Sequence, residues 1–331
     1  MPKTLVTGGA GFIGSHLCES LLRDGHEVVA LDSFDDYYDP AVKRRNIATA
    51  LHHPRFRLAE ADIRDEVGVR RALESGVEAV VHLAARAGVR PSIEQPLHYQ
   101  DVNVRGTMVL LEACRKLPRC RFIFGSSSSV FGNNPKVPFA ETDPVDHPIS
   151  PYAATKKAGE LICHTYHHLH GLAITCLRFF TVYGPRQRPD LAIHKFARLI
   201  EAGRPIPVFG DGSMMRDFTY VDDIVEGIRR AIDRCHGFHL YNLGESQPVR
   251  LDELIEILEQ ALGKKAIIDR RPLQPGDVER TFADLTRSRT ELGFEPKTDI
   301  RTGIARFVEW LRGQGHPNSS AATRPQSRRT S

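Results

Sequence analysis

Tyr152 and Lys156, a tyrosine and a lysine four residues apart, form a pair that could move protons. They follow Ser150 and Pro151 in a helical pattern, and residues four apart share one face of a helix, so an ammonium would lie beside a phenol. Lowering a tyrosine pKa of about 10 by about three units requires about 4 kcal/mol. One cation at about 4 Å supplies roughly that much at an effective dielectric constant of about 20, before desolvation. The spacing predicts proton exchange with a substrate hydroxyl, although it is also common on ordinary helices.

Four consecutive serines, residues 126–129, follow an apolar run at 122–125 that is typical of a buried strand. Ligands of parallel sheets bind at the carboxyl ends of the strands, so these hydroxyls would lie where a substrate sits. Serines in ordinary polar loops also cap helices. Four successive hydroxyls at this edge favour the substrate-binding interpretation.

Three glycines spaced three residues apart, Gly8, Gly11 and Gly14, follow the first predicted strand and open an amphipathic helix. Gly8 permits a tight turn, Gly11 lets a pyrophosphate approach the backbone, and Gly14 lets the helix pack closely on the sheet. The amino end of the helix offers free N–H groups to phosphates. Asp32 ends the second strand about 20 residues later, where a carboxylate accepts ribose hydroxyls and repels a 2′-phosphate. The combination predicts a dinucleotide site that prefers NAD to NADP.

Short apolar runs alternate with helical patterns in the amino-terminal half. This alternation is typical of an α/β fold with a doubly wound parallel sheet and right-handed crossovers, the Rossmann arrangement. The predicted strands are residues 4–7, 27–31, 56–59, 79–83, 122–125 and 173–177.

After residue 184 the pattern breaks into shorter pieces, which predicts a smaller carboxyl-terminal substrate-binding lobe. We expect a dinucleotide-binding domain at 1–184, a nucleotide-sugar lobe at 185–312 and a disordered tail at 313–331. The boundary is soft because the elements at 221–232 and 240–242 are candidates to return to the large sheet.

The composition is that of a globular protein: 331 residues, 41% of them hydrophobic, can bury a sizeable core. The 45 basic and 41 acidic residues are interspersed, which argues against nucleic-acid binding. The sequence shows neither a bilayer-length apolar run nor a secretory signal, so we expect a cytoplasmic protein without a membrane partner. The six cysteines lack metal-ligand spacing, so no metal site or disulfide is expected.

Three later segments of the sequence, residues 178–186, 216–223 and 274–278, also carry motifs of interest. Together with the glycine spacing, the serines and the Tyr152–Lys156 pair, they make the chain resemble an extended short-chain dehydrogenase/reductase of the nucleotide-sugar epimerase class, as far as about Trp310. The three segments are most similar to those of UDP-glucuronate 4-epimerases, with UDP-glucose 4-epimerases next.

The resemblance implies that NAD is the cofactor, that Ser127 is the catalytic hydroxyl, that Tyr152 is the acid and base, and that Lys156 supports it and binds ribose. Two segments at strand ends, Asp62-Ile63 and residues 83–86, would on position alone equally be ordinary loop sequence. The expected cofactor ligands lie in the glycine loop, at strand ends and in the catalytic pair: Gly8, Gly11, Phe12, Ile13, Gly14, Asp32, Asp62, Ile63, Leu83, Ala84, Ala85, Tyr152, Lys156 and Phe179.

A UDP-sugar is the substrate that the resemblance implies. Thr181 would face the sugar, and Ser128 with Ser129 would help to hold a carboxylate at C6. Arginine suits a diphosphate because its guanidinium fork matches phosphate oxygens. The expected pyrophosphate ligands are Arg186, Lys195 and Arg216. Val208 and Phe209 would border the uracil, and Gln274 and Asp277 would close over the uridine. The other expected substrate contacts are Arg86 and Ser127. Phe131, where many relatives carry tyrosine, is expected to change local packing only.

The serines at 127–129 guide the choice of reaction. The related nucleotide-sugar 4,6-dehydratases and decarboxylases carry an acidic residue in this segment, so its absence favours epimerisation. The hypothesis is that hydride leaves C4 of UDP-glucuronate for NAD and returns to the opposite face of a 4-keto sugar. UDP-glucose or UDP-N-acetylglucosamine epimerases, a nucleotide-sugar dehydrogenase or decarboxylase, and a non-catalytic NAD-binding scaffold remain alternatives.

Two long helical stretches, residues 95–116 and 152–170, suggest a homodimer. Family members commonly pair these helices with the same helices of a second copy in a four-helix bundle. Their apolar residues would equally serve the core of one chain.

Overall fold

A computed structural model describes residues 2–74, 76–272 and 280–314. Strands and helices alternate along these residues. The strands are β1 (Lys3–Thr7), β2 (Glu27–Asp32), β3 (Phe56–Glu60), β4 (Ala79–His82), β5 (Arg121–Ser127), β6 (Ala173–Phe179), β7 (Thr181–Tyr183), β8 (Ile206–Phe209), β9 (Met215–Tyr220), β10 (Phe238–Leu243), β11 (Pro248–Arg250), β12 (Ile268–Arg271) and β13 (Arg280–Thr281). The α-helices are α1 (Phe12–Arg23), α2 (Pro40–Asn46), α3 (Glu66–Leu73), α4 (Val89–Glu94), α5 (Pro96–Gln100), α6 (Gly106–Cys114), α7 (Pro151–His170), α8 (Ala192–Glu201), α9 (Val221–Asp233), α10 (Leu251–Leu262) and α11 (Ile300–Gly313).

Seven parallel strands form the main sheet, in the order β10-β6-β5-β4-β1-β2-β3. Six of them reproduce the doubly wound order 3-2-1-4-5-6, which reverses direction between β1 and β4. The predicted Rossmann fold is therefore confirmed, and each predicted strand lies within two residues of an observed one. The reversal leaves a crevice at the carboxyl ends of β1 and β4, where such folds bind ligands.

The apolar runs of these strands are buried on both faces of the sheet. In β1, Val6 packs into one hydrophobic core and Leu5 into the other. The alternation continues in β4, where Val81 faces the first core and Val80 the second. Helices α1 and α9 cover one face, and α3, α6 and α7 cover the other, so the strand ends are held rigidly.

Helix α7, which carries the tyrosine–lysine pair, has well-defined ends. Ser150 caps it, its Oγ accepting from the backbone N–H of Ala153 at 3.1 Å, and Pro151 occupies the first turn. Gly171 ends the helix with a left-handed φ of 66°. These signals place Tyr152 in the first turn of the helix, beside the carboxyl end of β5.

The part of the chain after β6 forms two small sheets and also adds a strand to the large sheet. Strands β7, β9, β11 and β13 form a small sheet, and β8 pairs with β12. Strand β10 pairs in parallel with β6 in the large sheet, and α9 packs against that sheet as well. The division of binding roles between 1–184 and 185–312 stays a prediction. The expected tail lies outside the described residues except for residues 313 and 314, the first of which ends α11.

The predicted long helix at 95–116 is interrupted. Helices α5 and α6 are joined by a π-helical turn, Asp101–Arg105. In the described parts of the chain, no helix is both long and apolar enough to cross a bilayer. The same residues contain no cluster of three or more histidine, cysteine or acidic side chains able to hold a metal ion.

Candidate functional site

A cleft of about 510 Å³ opens at the carboxyl ends of β1, β2, β4 and β5. Its walls come from loops of the large sheet and from residues 179–191 on the other side. All the expected cofactor ligands line it: Gly8, Gly11, Phe12, Ile13, Gly14, Asp32, Asp62, Ile63, Leu83, Ala84, Ala85, Tyr152, Lys156 and Phe179. The structure therefore brings these residues together, and their binding roles stay predictions.

The glycine loop has the shape that a dinucleotide phosphate group needs. Gly8 adopts a left-handed φ of 67°. A Cβ at Gly14 would overlap the carbonyl oxygen of Gly8, so this position must be glycine for the helix to pack on the loop. A Cβ at Gly11 would meet only that same oxygen, at 3.1 Å, and would otherwise occupy open cleft. No side chain caps the first turn of α1, so its N–H groups are available to phosphate oxygens.

Asp32 is held at the mouth of the same loop. One of its carboxylate oxygens accepts from the N–H of Ala10 at 3.1 Å and the other from the N–H of Phe34 at 2.9 Å. Burial raises the pKa of Asp32, against the lowering by these hydrogen bonds and by the charge of Lys43. Each oxygen keeps a lone pair, so this anchored carboxylate fits two ribose hydroxyls.

Tyr152, Ser127 and Lys156 meet at the opposite end of the cleft. Tyr152 lies beside Ser127, whose side chain lowers the pKa of the phenol, and the Oγ of Ser127 donates to that of Ser129 at 3.0 Å. The Nζ of Lys156 donates to the carbonyl oxygen of Gly125 at 2.7 Å and lies 5.2 Å from the centroid of the Phe124 ring. The chemical groups expected for proton exchange are therefore together, at the ends of β5 and α7.

The expectation that Lys156 lowers the pKa of Tyr152 is wrong in this structure. Burial raises the pKa of the phenol, and the groups that lower it are Ser127, by its hydrogen bond, and Arg188, by its charge. Burial also lowers the pKa of Lys156, to about 8. The reason is geometric, because the lysine amine is directed to the carbonyl of Gly125 rather than to the phenol.

The expected substrate residues divide into two groups. Arg86, Ser127, Ser129 and Thr181 line the cleft. The residues that do not line it are Ser128, Arg186, Lys195, Val208, Phe209 and Arg216, and Gln274 and Asp277 lie outside the described residues. Their assignments stay predictions.

Contacts within the chain explain where three of the expected substrate residues outside the cleft lie: Arg186, Val208 and Phe209. The Nη2 of Arg186 donates to the carboxylate of Glu19 on α1 at 2.7 Å. Val208 is almost completely buried, and the guanidinium of Arg90 lies 4.6 Å from the ring centroid of Phe209. Residues of β8 therefore pack within the protein as it is described.

Three of the polar cleft residues that sequence reasoning missed, Arg188, Asp35 and Tyr37, belong to one cluster. Arg188 lines the cleft and is paired with Asp190 at 2.8 Å. Asp35 binds the Nη1 of Arg86 at 2.5 Å, and the ring of Tyr37 lies between two guanidinium groups, 4.9 Å from that of Arg86 and 5.3 Å from that of Arg188. These side chains join three loops that are distant in sequence, and no motif spacing marks such a cluster.

A buried ion pair supports the catalytic end of the cleft from below. Arg178 on β6 donates to both carboxylate oxygens of Glu160 on α7, at 2.8 and 2.9 Å, and Ser126 donates to the same carboxylate at 2.6 Å. The guanidinium also lies 4.8 Å from the ring centroid of Phe131, which is buried. Because Ser126 precedes Ser127, this network fixes the strand end that carries Ser127.

Replacing Glu160 with leucine should cost about 3–5 kcal/mol of unfolding free energy, because arginine cannot lose its charge and Arg178 would remain buried without a carboxylate. Urea denaturation measures the loss. The matched control is Glu112→Leu, which removes an exposed carboxylate that pairs with Arg115 and also accepts from the Tyr166 hydroxyl. Loss of the exposed ion pair should cost less than about 1 kcal/mol of unfolding free energy. Equal losses in both variants would contradict the role given to the buried pair.

Comparison with known proteins agrees with this geometry. A family described as GDP-mannose 4,6 dehydratase matches residues 5–307. A protein of Rhizobium meliloti named probable UDP-glucuronate 4-epimerase is 42% identical over 328 residues, which cover 93% of this chain and 96% of that protein.

Solved structures are similar over nearly the same length. UDP-glucuronic acid 4-epimerase from Bacillus cereus, in complex with UDP-glucuronic acid and NAD, has a TM-score of 0.88 at 36% identity, covering 94% of this chain and 99% of that one. UDP-glucose 4-epimerase from Thermotoga maritima, with UDP-glucose, has a TM-score of 0.88 at 32% identity, covering 95% and 100%. The matches of sequence and fold show that the chain belongs to the GDP-mannose 4,6-dehydratase family of extended short-chain dehydrogenases/reductases.

Proposed function

We propose that this protein is an NAD-dependent UDP-sugar 4-epimerase that interconverts UDP-glucuronate and UDP-galacturonate. The observation that carries the proposal is that Tyr152, Lys156 and Ser127 line the same cleft as the glycine loop, beside a segment of serines without an acid. The names of the Rhizobium meliloti relative and of the Bacillus cereus structure support the choice of sugar.

The chemistry assigned to the chain is proton transfer at the sugar hydroxyl on C4. Tyr152 takes the proton from that hydroxyl as C4 is oxidised and returns it after the sugar has turned. Ser127 holds the same oxygen, and Lys156, fixed to Gly125, binds near the cofactor ribose. Bound NAD supplies the hydride acceptor and, in its reduced form, the donor. Because the ketone must turn without leaving, binding of the UDP group has to anchor it.

The family description names a dehydratase, and the cleft argues for a different reaction. Elimination of water needs an acid beside the sugar, whereas residues 127–129 are serines. The carboxylates that line the cleft among the described residues are Asp32, Asp35 and Asp62. Asp32 ends β2 and Asp62 follows β3, strands that lie across β1 and β4 from β5, and Asp35 is paired with Arg86, so none of the three belongs to the serine segment beside Tyr152.

A carboxylate on C6 has a natural partner in Arg188. Its guanidinium lines the cleft, acts electrostatically on Tyr152, and lies on the same side as Thr181. Ser129 supplies a further hydroxyl, 3.0 Å from that of Ser127. One permanent cation with two hydroxyls suits an anionic sugar better than a neutral one.

Arg188→Met should therefore lower kcat/KM for UDP-glucuronate by about 10- to 100-fold, the range expected for a charge-assisted hydrogen bond. The kcat/KM for UDP-glucose in the same variant is the control: it should fall by less, because that sugar presents no charge and loses only the effect of Arg188 on the pKa of Tyr152. An equal fall for both sugars would show that Arg188 does not read the carboxylate.

The proposal is tested by incubating the protein separately with UDP-glucuronate, UDP-glucose and UDP-N-acetylglucosamine and identifying the products by NMR. We expect UDP-galacturonate from the first, without accumulation of NADH. Conversion of UDP-glucose with UDP-glucuronate unchanged would contradict the choice of sugar. Net NADH formation would indicate a dehydrogenase or decarboxylase, and no product from any sugar would favour a non-catalytic scaffold.

We also infer a homodimer through α5, α6 and α7. Large apolar side chains are exposed there: Leu97 is 80% exposed, Met108 43% and Leu161 57%. Pairing of these helices with a second copy would bury them. Light scattering should give twice the monomer mass for the wild type and a monomer for Leu97→Glu/Leu161→Glu. A monomeric wild type would refute the dimer.

We place the protein in the cytoplasm. All six cysteines are buried free thiols, which suits a reducing compartment. Fractionation of its native cells should recover it with the cytosolic enzymes, and recovery from the periplasm or medium would contradict the assignment.

A further inference from the structure

A chain of buried polar groups runs beneath the cleft, and the chemistry assigned above does not use it. Its centre is His82, the last residue of β4, whose ring lies between Thr7 at the end of β1 and Thr107 on α6. Thr7 and Thr107 are fully buried and His82 is 2% exposed. Polar groups in such a place must satisfy one another, so their hydrogen bonds are specific.

The hydrogen atoms of this chain can be ordered in one direction. The hydroxyl of Thr107 donates its one hydrogen to the carbonyl oxygen of Asn103 at 2.5 Å. Its oxygen must therefore accept from the Nε2 of His82, 3.0 Å away. In the neutral ring the Nδ1 of His82 therefore carries no hydrogen and accepts from the hydroxyl of Thr7 at 2.8 Å, and the Thr7 oxygen accepts from the N–H of Ala84 at 3.2 Å. Of the two neutral tautomers, the network requires Nε2–H.

The surroundings of the ring favour the same state. The ring centroids of Phe122 and Phe124 lie 6.0 and 5.8 Å from that of His82. Burial lowers the pKa of His82 to about 3, and the charge of Lys156 adds to this effect. A second proton, on Nδ1, would also face the hydroxyl hydrogen of Thr7.

Asn103 extends the chain to the catalytic helix. Its side chain accepts from the N–H of Arg86 at 2.8 Å and donates to the carbonyl oxygen of the same residue at 3.0 Å. It also donates to the hydroxyl of Thr155 at 3.0 Å, and that hydroxyl donates to the carbonyl oxygen of Tyr152 at 2.8 Å. Asn103 lies in the π-helical turn between α5 and α6, and bulges of this kind are frequent at functional sites.

The two ends of the chain lie at the two functional parts of the cleft. Thr7 precedes Gly8, whose N–H donates to the carbonyl oxygen of Leu31 on β2 at 2.8 Å, and so it borders the cofactor loop. Thr155 lies in the turn of α7 that carries Tyr152 and Lys156. A displacement at either end must therefore break a buried hydrogen bond or be transmitted along the chain.

We propose that His82 is a positioning residue, whose ring, as the neutral Nε2–H tautomer, fixes the separation between the glycine loop and the helix that carries Tyr152. The inference rests on the proposed function only for the identity of the cofactor and of the catalytic tyrosine. The inference gives a role to the side chains of Thr7, His82 and Thr107, which contact neither the cofactor nor the substrate in the proposed reaction.

The tautomer is tested by NMR of protein labelled with nitrogen-15 in histidine, with His82→Gln to assign the signals. The imidazole hydrogen of His82 should be on Nε2, protected from exchange with solvent, and the ring should not titrate between about pH 5 and 8. A hydrogen on Nδ1, or a titration near the ordinary histidine value, would overturn the proposal. This measurement requires no enzymatic activity, so it remains decisive if the proposed reaction is wrong.

The positioning role is tested with Thr7→Val and Thr107→Val, which keep the shape of the side chain and remove its hydroxyl, and with Thr→Ser at both positions as rescue. Thr7→Val should weaken NAD binding, measured by calorimetry, by about 10-fold, and Thr107→Val should lower kcat by about 10-fold with little change in KM. Serine should restore both values to within about twofold. Valine variants that melt earlier yet keep normal NAD affinity and kcat would show a merely structural network and overturn the proposal.

If no sugar is converted by the wild type, the NAD affinity of the Thr7 variants still tests the cofactor end of the chain. Loss of affinity restored by serine would support the proposal while the proposed reaction fails. Unchanged affinity would overturn the proposal whatever the reaction.

Discussion

Tyr152→Phe should lower kcat for epimerisation by about 1000-fold, the effect of removing a general acid and base, while NAD and UDP-glucuronate still bind. The substitution removes one hydroxyl and keeps the ring, whose edge-to-face contact with Tyr99 at 6.3 Å is unaffected. The hydroxyl is the group whose pKa the neighbouring Ser127 lowers, and both residues line the cleft. Single-turnover kinetics, with calorimetry for binding, separates loss of chemistry from loss of substrate.

Tyr166→Phe is the matched control for this change. Tyr166 lies on the same helix, and its hydroxyl binds Glu112 at 2.6 Å, away from the cleft. This variant should keep kcat to within about twofold, since it removes the same group outside the site. If Tyr152→Phe kept more than about a tenth of the wild-type kcat, another residue would have to be the acid and base.

Gly14→Ala should abolish measurable NAD retention and destabilise the fold by about 3 kcal/mol, because its new methyl group would overlap the carbonyl oxygen of Gly8 and neither backbone can yield easily. Displacing the loop removes hydrogen bonds to the phosphates. Two charge-assisted bonds of about 1.5 kcal/mol each correspond to about 100-fold in the dissociation constant. Calorimetric titration with NAD and urea denaturation measure the two effects.

Gly11→Ala separates the effect on NAD binding from the effect on stability of the fold. Its methyl group would approach only the carbonyl oxygen of Gly8, at 3.1 Å, but would fill cleft where a phosphate has to lie. We therefore expect weakened NAD binding with a loss of stability below about 1 kcal/mol. Gly313→Ala, at the open end of α11, is the neutral control. Normal NAD affinity in Gly11→Ala would contradict the placement of the pyrophosphate.

The cofactor end of the cleft could be predicted from sequence because each of its signals is local. Gly8 and Gly14 are three residues from Gly11, and Asp32 ends the neighbouring strand. Parallel strand order then brings all their loops to one edge, since β1 lies between β2 and β4. The Rossmann fold is predicted from the alternation of strand and helix patterns along the sequence, and it is confirmed.

The substrate end could not be predicted in the same way, because it depends on contacts between distant segments. Arg186 follows a recognisable motif, yet its guanidinium pairs with Glu19, which is 167 residues earlier. Arg188, two residues further on, lines the cleft instead. Alternate residues of an irregular loop face different surroundings, and no periodicity tells which of the two arginines turns toward the cleft.

The tyrosine–lysine pair shows the limit of helical spacing as evidence. Four residues of separation place the two Cβ atoms on one face, but the lysine side chain has four rotatable carbons. Lys156 uses that freedom to reach the carbonyl oxygen of Gly125 on β5, and burial then dominates the pKa of Tyr152. Proximity in a helix is therefore not a measure of electrostatic coupling.

Reaction of UDP-glucuronate carrying deuterium at C4 tests the central claim most directly. If Tyr152 and Ser127 support oxidation and reduction at one carbon without release of the intermediate, NMR will show UDP-galacturonate that retains the deuterium at C4, with no accumulation of NADH. Loss of deuterium to solvent, or its appearance in released NADH, would contradict the account.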